Sequence, residues 1–257
     1  MTTEPIRELV FGKLRMQVYA SWEAAGAAAA RDAAAAMNQQ AAGRDSIGVI
    51  FATGASQMAM LDALTKIPEV PWDKVLGFHM DEYIGISPDH PASFRRYMRE
   101  RLTSRMPIRH FLGVDGNKDA AEECRSYSEA LRKAHPQLCL LGIGENGHLA
   151  FNDPGEADFQ DPADMKVVHL DDACRAQQLA EGWFPNLDAV PQTALTLTIP
   201  ALLRPAKLIV SVPGPRKAAI VRRTALDPIS TACPATILRK HPNATVYLDP
   251  DSAAELL

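Results

Sequence analysis

Residues 47–56 read Ile47-Gly48-Val49-Ile50-Phe51-Ala52-Thr53-Gly54-Ala55-Ser56, an apolar run followed by a turn of small and hydroxyl residues. An apolar run without polar alternation is typical of a strand that is covered on both faces, as in a parallel sheet. The residues after the turn, 57–66, are predicted to be helical. This stretch therefore predicts one strand–loop–helix unit of an α/β fold.

The same alternation continues along the chain. Further apolar runs predict strands at 75–78, 138–142, 166–170, 195–199, 208–212 and 245–248. Helices are predicted at 24–42, 91–104, 118–134, 171–181 and 215–225. This order predicts an α/β fold with a single domain over residues 1–257, a doubly wound, mostly parallel sheet with helices on both faces. The least regular stretch, 153–186, is predicted to form a lid or binding loop.

The composition excludes several classes of protein. The 257 residues carry 27 basic and 31 acidic side chains, and a net charge of −4 gives no reason to expect nucleic acid or an anionic membrane as a partner. Hydrophobic residues make up 47%, which excludes a mainly disordered chain. No apolar run approaches the ~18 residues of a membrane helix, and the N-terminus does not resemble a signal peptide. The four cysteines form no CxxC pair, so free thiols in a reducing cytoplasm are expected.

Two polar segments follow predicted strands, at the sheet edge where α/β proteins bind their ligands. Thr53-Gly54-Ala55-Ser56 can present backbone N–H groups to a phosphate, or it can simply cap the next helix. It is not a P-loop, because the GxxxxGK[ST] spacing is absent. Asp81 and Glu82 can supply a general base, or they can cap a turn or pair with Arg95 or Arg96.

The third polar segment is Gly142-Ile143-Gly144-Glu145-Asn146-Gly147-His148-Leu149-Ala150-Phe151-Asn152-Asp153-Pro154. Its glycines, Gly147 among them, let the backbone approach a ligand closely or adopt a positive φ. His148 is the only one of the seven histidines in a glycine-rich loop, which makes it a candidate site residue. The alternative is a histidine that satisfies a local hydrogen bond. No set of His, Asp and Glu has the spacing of metal ligands, so no metal is expected.

In this order and spacing, the three segments resemble the glucosamine-6-phosphate deaminase family, which is related in fold to the 6-phosphogluconolactonases. The resemblance runs from about residue 45 to the C-terminus. Its most specific matches are Met80-Asp81-Glu82-Tyr83-Ile84-Gly85-Ile86, His90-Pro91-Ala92-Ser93-Phe94 and residues 142–154. Tyr83 and Phe151-Asn152-Asp153-Pro154 favour the deaminases over the lactonases. The resemblance implies an enzyme without metal or cofactor that converts glucosamine 6-phosphate and water to fructose 6-phosphate and ammonia.

The resemblance also implies catalytic roles. Asp81 matches the base that shuttles a proton between C2 and C1 of the opened sugar, and Glu82 is a supporting residue beside it. His148 matches the histidine that opens the sugar ring. Asn146 matches a position that is Asp or Asn in the family and can orient His148 or the sugar. Asp153 stands where the family has glutamate, the residue that holds the histidine, and is one methylene shorter.

For the phosphate, the resemblance implies binding at the turn 53–56 and at Lys217. A second phosphate ligand of the family, an arginine, aligns with Glu181, whose carboxylate would repel phosphate. Arg175, on the same predicted helix, could compensate. An exposed, solvated face is the alternative for Lys217 and for Arg175. The predicted substrate-binding residues are thus Thr53, Gly54, Ala55, Ser56, Glu82, Gly147, Lys217 and Arg175.

Three alternatives stay open beside the deaminase. They are a hydrolase like the 6-phosphogluconolactonases, a deaminase of another amino-sugar phosphate such as galactosamine 6-phosphate, and a non-catalytic sugar-phosphate sensor. Sensors with this fold normally carry a helix-turn-helix, for which the first 45 or so residues leave little room. The expected partner is a small sugar phosphate, with no nucleic acid and no membrane, in the cytoplasm. A homo-oligomer is one possibility.

Overall fold

The computed structural model describes residues 4–180 and 182–257, which form eleven strands and seven α-helices. The strands are β1 Arg7–Phe11, β2 Leu14–Val18, β3 Ile47–Phe51, β4 Val75–His79, β5 Asp81–Tyr83, β6 His110–Leu112, β7 Leu138–Leu141, β8 Met165–His169, β9 Thr193–Leu197, β10 Lys207–Ser211 and β11 Ala244–Leu248. The α-helices are α1 Trp22–Ala41, α2 Met58–Leu64, α3 Phe94–Met98, α4 Ala120–Ala134, α5 Asp172–Ala180, α6 Ile199–Leu203 and α7 Ala218–Leu226.

Eight strands form the main sheet, in the order β1-β2-β11-β10-β7-β3-β4-β6. Every neighbouring pair is parallel except the β1–β2 hairpin at one edge. Strands β3, β7 and β11 are buried at every residue. These are the apolar runs that predicted covered strands, and the prediction of an α/β fold with a mostly parallel sheet is confirmed.

Two hydrophobic cores cover the main sheet from opposite faces. Val49 and Phe51 of β3 pack in the core that contains the buried alanines of α1, together with Met37. Ile50, between them, packs in the other core with Tyr127 of α4. Alternate residues of a strand point to opposite faces of a sheet, so the helices lie on both faces, as predicted.

The other three strands, β5, β9 and β8, form a separate antiparallel sheet. The apolar runs at 166–170 and 195–199 were predicted to lie in the parallel sheet, and that placement is wrong. Strand β8 is partly open to solvent on one face, where Val167 is 42% exposed, and antiparallel sheets tolerate such exposure. Strand β5 follows β4 directly after Met80, whose carbonyl accepts a hydrogen bond from the Leu197 N–H at 2.7 Å. The small sheet therefore starts where β4 of the main sheet ends.

The predicted helices are present, and capping side chains set their ends. Helix α3 begins at 94 because the Ser93 hydroxyl accepts the Arg96 N–H, and α1 begins at 22 because Ser21 caps it. Residue 199, predicted to end a strand, begins α6, because Thr198 accepts the N–H of the third residue of that helix. Along the described chain, none of the helices has both the length and the apolar character that a membrane span requires.

Helix α1 packs closely on α2 at Gly26. A Cβ atom there would lie 2.7 Å from the Ala59 Cβ and 2.9 Å from the Ala59 carbonyl carbon. We expect Gly26→Ala to lower the free energy of unfolding by about 1–3 kcal/mol, the usual cost of overpacking. This loss should appear although alanine is the better helix former by about 1 kcal/mol. Chemical denaturation measures the change.

The control is Ala35→Gly, on the exposed face of the same helix. It should lose only the helix-propensity difference of about 1 kcal/mol. A Gly26→Ala variant that is more stable than the wild type would contradict the close contact between the helices.

Candidate active site

A cavity of about 330 Å³ opens at the carboxyl ends of the central strands. Its walls come from the segments that follow β3, β4, β7 and β10, which is where an open α/β sheet binds its ligands. The predicted site residues that line it are Thr53, Gly54, Ala55, Ser56, Asp81, His148 and Lys217. The fold therefore brings residues from all three polar segments, and from the turn after β10, around one space.

Two turns of the same shape form one wall of the cavity. Gly54 after β3 has φ 95° and Gly214 after β10 has φ 91°, and each is followed by a 3₁₀ turn that leads into α2 or α7. Positive φ favours glycine. Tyr97 donates its hydroxyl to the Gly54 carbonyl at 3.0 Å, and Lys217, on the second turn, donates its Nζ to the Ile143 carbonyl at 2.8 Å. N–H groups at the start of the first turn suit an anion. In the second turn the Gly214 N–H already donates to the Asp249 carboxylate at 3.1 Å, so the Lys217 ammonium is the group that suits an anion there.

Asp81 is the first residue of β5, and its carboxyl faces the cavity although the residue is only 6% exposed. Burial raises the pKa of this carboxyl well above its usual range, and the neighbouring charge of Glu82 raises it further. A carboxylate with a raised pKa is a stronger base than an ordinary aspartate. Asp81 is thus suited to take a proton from a ligand in the cavity.

Glu82 is not among the residues that line the cavity. Successive side chains of a strand point to opposite faces, and the Glu82 carboxylate accepts hydrogen bonds from the start of α3. The donors are the Phe94 and Arg95 N–H groups, at 3.1 and 3.0 Å, and the Ser93 hydroxyl, at 2.8 Å. The placement gives Glu82 a role in anchoring α3, and the structure does not support the predicted contact with substrate.

His148 and Asp153 form a pair, with the histidine Nδ1 2.8 Å from the aspartate Oδ1. Asn146 joins both: its Nδ2 donates to the same oxygen at 2.9 Å, and its Oδ1 accepts the His148 backbone N–H at 3.0 Å. Burial alone would raise the pKa of Asp153, but the hydrogen bonds from His148 and Asn146 and the charge of His148 lower it. An ionised Asp153 can therefore orient the imidazole, and the shorter side chain reaches it.

Two glycines give the His148 loop its shape. A Cβ atom at Gly144 would lie 2.1 Å from the His148 Nε2, so the ring occupies the space that a side chain would need. Gly147 has φ 93°, and a Cβ there would lie 2.9 Å from the Cys233 Sγ. Its carbonyl accepts the Ala235 N–H at 2.8 Å. Gly147 does not line the cavity, so its placement supports a role in the loop rather than a contact with substrate.

Arg175 lies outside the cavity lining and has other partners. Its Nη2 donates to the carbonyls of Leu187 and Val190 at 2.7 and 3.3 Å, and its Nη1 lies 3.7 Å from Asp172. The side chain therefore ties α5 to the segment that follows it, and the structure does not support Arg175 as a phosphate ligand. Glu181, at the position of the family's arginine, lies outside the described residues.

The cavity also contains residues that the sequence analysis did not single out. The Arg216 Nη2 lies 2.6 Å from the Glu145 Oε1, and this ion pair joins the second turn to the His148 loop. Arg216 directly precedes Lys217, so the basic pair was the signal that could have found it. The aromatic side chains of Trp22, Tyr97 and Trp183, which belong to none of the quoted motifs, also line the cavity.

The region 153–186 contains β8 and α5, close to the strand predicted at 166–170 and the helix predicted at 171–181. It contributes Gln177, Gln178 and Trp183 to the cavity. Gln178 accepts the Tyr83 hydroxyl at 2.8 Å, and Gln177 accepts the Glu145 N–H at 3.3 Å. These contacts place α5 over the site, and its movement as a lid stays a prediction.

The chain is similar over most of its length to proteins of one family. The family described as glucosamine-6-phosphate isomerases/6-phosphogluconolactonase matches residues 20–247. Glucosamine-6-phosphate deaminase of Exiguobacterium sibiricum is 34% identical over 209 residues, which cover 80% of either chain. Glucosamine-6-phosphate deaminase of Geobacillus sp. is 36% identical over 178 residues, which cover 68% of this chain and 69% of that one.

Solved structures agree with the sequence relatives. A monomeric glucosamine-6-phosphate deaminase has a TM-score of 0.85 at 28% identity, over 93% of this chain and 99% of its own. The 6-phosphogluconolactonase from Thermotoga maritima has a TM-score of 0.74 at 20% identity, over 91% of this chain and 98% of its own, and shares the fold. With its cavity at the sheet edge and its family match over residues 20–247, the chain belongs to the glucosamine-6-phosphate isomerase/6-phosphogluconolactonase family.

Proposed function

We propose that the protein is a glucosamine-6-phosphate deaminase, which converts glucosamine 6-phosphate and water to fructose 6-phosphate and ammonia. One observation carries the proposal: a buried base, Asp81, and an oriented histidine, His148, line the same cavity as two turns suited to phosphate. The relatives that bear this name supply the substrate. The four free cysteines fit a reducing compartment, in line with the cytoplasm. Self-association stays a prediction.

The phosphate would bind at the two similar turns described above, residues 54–57 after β3 and 214–217 after β10, which we call the twin turns. The first turn offers backbone N–H groups at residues 54–56, and the second offers the ammonium of Lys217. Hydrogen bonds between charged partners are stronger than neutral ones, so a cation beside the N–H groups adds affinity for a dianion. Placing the phosphate here directs the rest of the sugar toward Asp81 and His148, which line the same cavity.

Arg216 is the second phosphate cation in this proposal, in place of the family's arginine. It lines the cavity next to Lys217, and its partner Glu145 lies 2.6 Å away. The Arg216 side chain is 54% exposed, so it can turn without leaving a buried pocket. A phosphate dianion carries more charge than one carboxylate and would compete with Glu145 for the guanidinium.

His148 would open the sugar ring. Asp153 holds Nδ1, which leaves Nε2 as the nitrogen that exchanges a proton with the ring oxygen or O1. The neutral imidazole can accept a proton and return it. Asp81 would then take the C2 proton and deliver it to C1, which converts the amino aldose to an imine of the ketose. Water adds to the C2 imine carbon and ammonia leaves, so each step is a proton transfer, an addition or an elimination.

The test of the proposed function is release of ammonia by the purified protein. Glucosamine 6-phosphate is expected to yield ammonia and fructose 6-phosphate in equal amounts. Galactosamine 6-phosphate and 6-phosphogluconolactone are assayed in parallel. Ammonia from galactosamine 6-phosphate alone would identify a deaminase of that epimer. Hydrolysis of the lactone without ammonia from either amino sugar would identify a lactonase. Binding of the sugar phosphates without turnover would identify a sensor.

Asp81→Asn is expected to reduce kcat by at least about 10²–10⁴-fold, because an amide cannot act as a base. Binding of the sugar phosphate should persist, since the twin turns are unchanged. Because burial raises the pKa of Asp81, its ionisation near neutral pH costs folding free energy, and the amide should raise the stability there. Asp73→Asn, at an exposed position before β4, is the control. Normal turnover by Asp81→Asn would refute the assignment of the base.

Asp153→Ala should lower kcat more than it raises KM, because orientation of His148 matters mainly in the transition state. A general acid–base group contributes about 10²–10⁴-fold, and loss of its orienting partner should remove about 10–100-fold of this. Asp158→Ala, an exposed carboxylate in the same region, should change neither parameter. An unchanged kcat in Asp153→Ala would show that Asp153 does not orient His148 and only shapes the turn.

Arg216→Gln should raise KM about 10–100-fold with little change in kcat, since a hydrogen bond to a charged group contributes about 1.5–3 kcal/mol. The same variant should weaken inhibition by inorganic phosphate, whereas Glu145→Gln, which frees the guanidinium, should not. Arg222→Gln, an exposed arginine on α7, is the charge-matched control. Equal KM and equal phosphate inhibition in Arg216→Gln and the wild type would exclude Arg216 as a ligand.

A further inference from the structure

Cys174 lies beside the His148–Asp153 pair, and the proposed mechanism gives its thiol no part. The Cys174 Sγ, a ring nitrogen of His148 and a carboxylate oxygen of Asp153 all lie within 4.8 Å of one another. Cys174 and Asp153 are each only 1% exposed. The spacing in the sequence predicts no metal site, but helix α5 brings the thiol to the catalytic loop.

These three groups match the ligands that Zn²⁺ prefers. Zinc binds Cys sulfur at about 2.3 Å and His nitrogen or carboxylate oxygen at about 2.0–2.2 Å, in a tetrahedron. Ligand atoms in such a tetrahedron lie roughly 3–4 Å apart, so adjustments of about 1 Å would bring the three groups of this site around one ion.

The surroundings of Asp153 leave an oxygen available for a cation. Its Oδ1 accepts both His148 and Asn146, at 2.8 and 2.9 Å. Its Oδ2 receives the Asp171 N–H at the long distance of 3.4 Å. Because His148 lines the cavity, an ion can reach the cluster from there, and water can take the fourth ligand position.

We propose that His148, Asp153 and Cys174 form an inhibitory binding site for a soft divalent cation, for which Zn²⁺ is the probe. On binding, Zn–S, Zn–N and Zn–O bonds form and the thiol proton leaves to solvent. The imidazole proton moves from Nδ1 to Nε2. A histidine protonated at Nε2 and bound to zinc at Nδ1 cannot accept a proton from the sugar. The inhibition rests on the proposed function, whereas the binding does not.

Metal binding is tested first without activity, with Co²⁺ as a spectroscopic substitute for Zn²⁺ in the full-length protein. A thiolate bound to Co²⁺ gives a sulfur-to-metal charge-transfer band in the near ultraviolet, and Zn²⁺ should displace it. The band should appear in the wild type and in Cys124→Ala, a control that removes a half-buried thiol. It should be absent in Cys174→Ala and in Cys174→Ser. No band in the wild type, or a band in both Cys174 variants, would overturn the proposal.

Inhibition is tested second, with each variant compared with its own rate in the presence of a chelator. Loss of even an outer partner of a metal ligand weakens binding by about 10–100-fold, so Cys174→Ala and Cys174→Ser should need at least that much more Zn²⁺ for half inhibition. Cys124→Ala should be inhibited like the wild type. Equal inhibition of the wild type and the Cys174 variants would overturn the proposal. An inactive protein that still shows the cobalt band would refute the deaminase and leave the metal site standing.

Discussion

The site depends on the burial of two adjacent carboxylates in β5. Burying a charge is costly unless hydrogen bonds or an opposite charge compensate for it. Glu82 is compensated by the first N–H groups of α3 and by the Arg95 guanidinium, whose Nε lies 3.5 Å away. Asp81 points to the opposite face, and the N–H groups of α3 are not directed to it. The pleat of one short strand thus separates an anchoring carboxylate from a basic one.

The requirement to bury Glu82 also links the fold to the cavity. Because α3 begins on that carboxylate, Tyr97 of α3 is held where its hydroxyl contacts the Gly54 carbonyl. Gly54 begins the first of the twin turns. Gly54 and Gly214 both have a positive φ, and each follows a strand of the main sheet. The anchor, the helix and the turn therefore form a continuous path of contacts from β5 to the proposed phosphate subsite.

The apolar runs predicted five strands of the main sheet, β3, β4, β7, β10 and β11, because these strands are mostly buried and burial is visible in the sequence. Strands β1, β2 and β6 were not predicted, since exposed or half-buried residues interrupt their apolar pattern. The small sheet was not predictable in this way, since the pairing of β8 with β9 is decided by contacts between distant segments. The same limit applies to the site. The glycine-rich loop identified His148, but only the folded structure shows that Glu82 and Arg175 contact other segments and do not line the cavity. Cys174 lies in a helix whose sequence carries no sign of a site.

A shorter carboxylate at 153 is compatible with an oriented histidine because Asn146 also holds the histidine loop in place. Asn146 contacts the aspartate and the histidine backbone together, so the pair keeps its distance although one methylene is absent relative to the family's glutamate. The buried Cys174 Sγ lies within 4.8 Å of a His148 ring nitrogen and an Asp153 carboxylate oxygen. A cysteine thiol, unlike the amide of Asn146, can exchange its proton for a soft metal ion. The loop that orients the histidine in this chain thus lies beside the third ligand that would disable it.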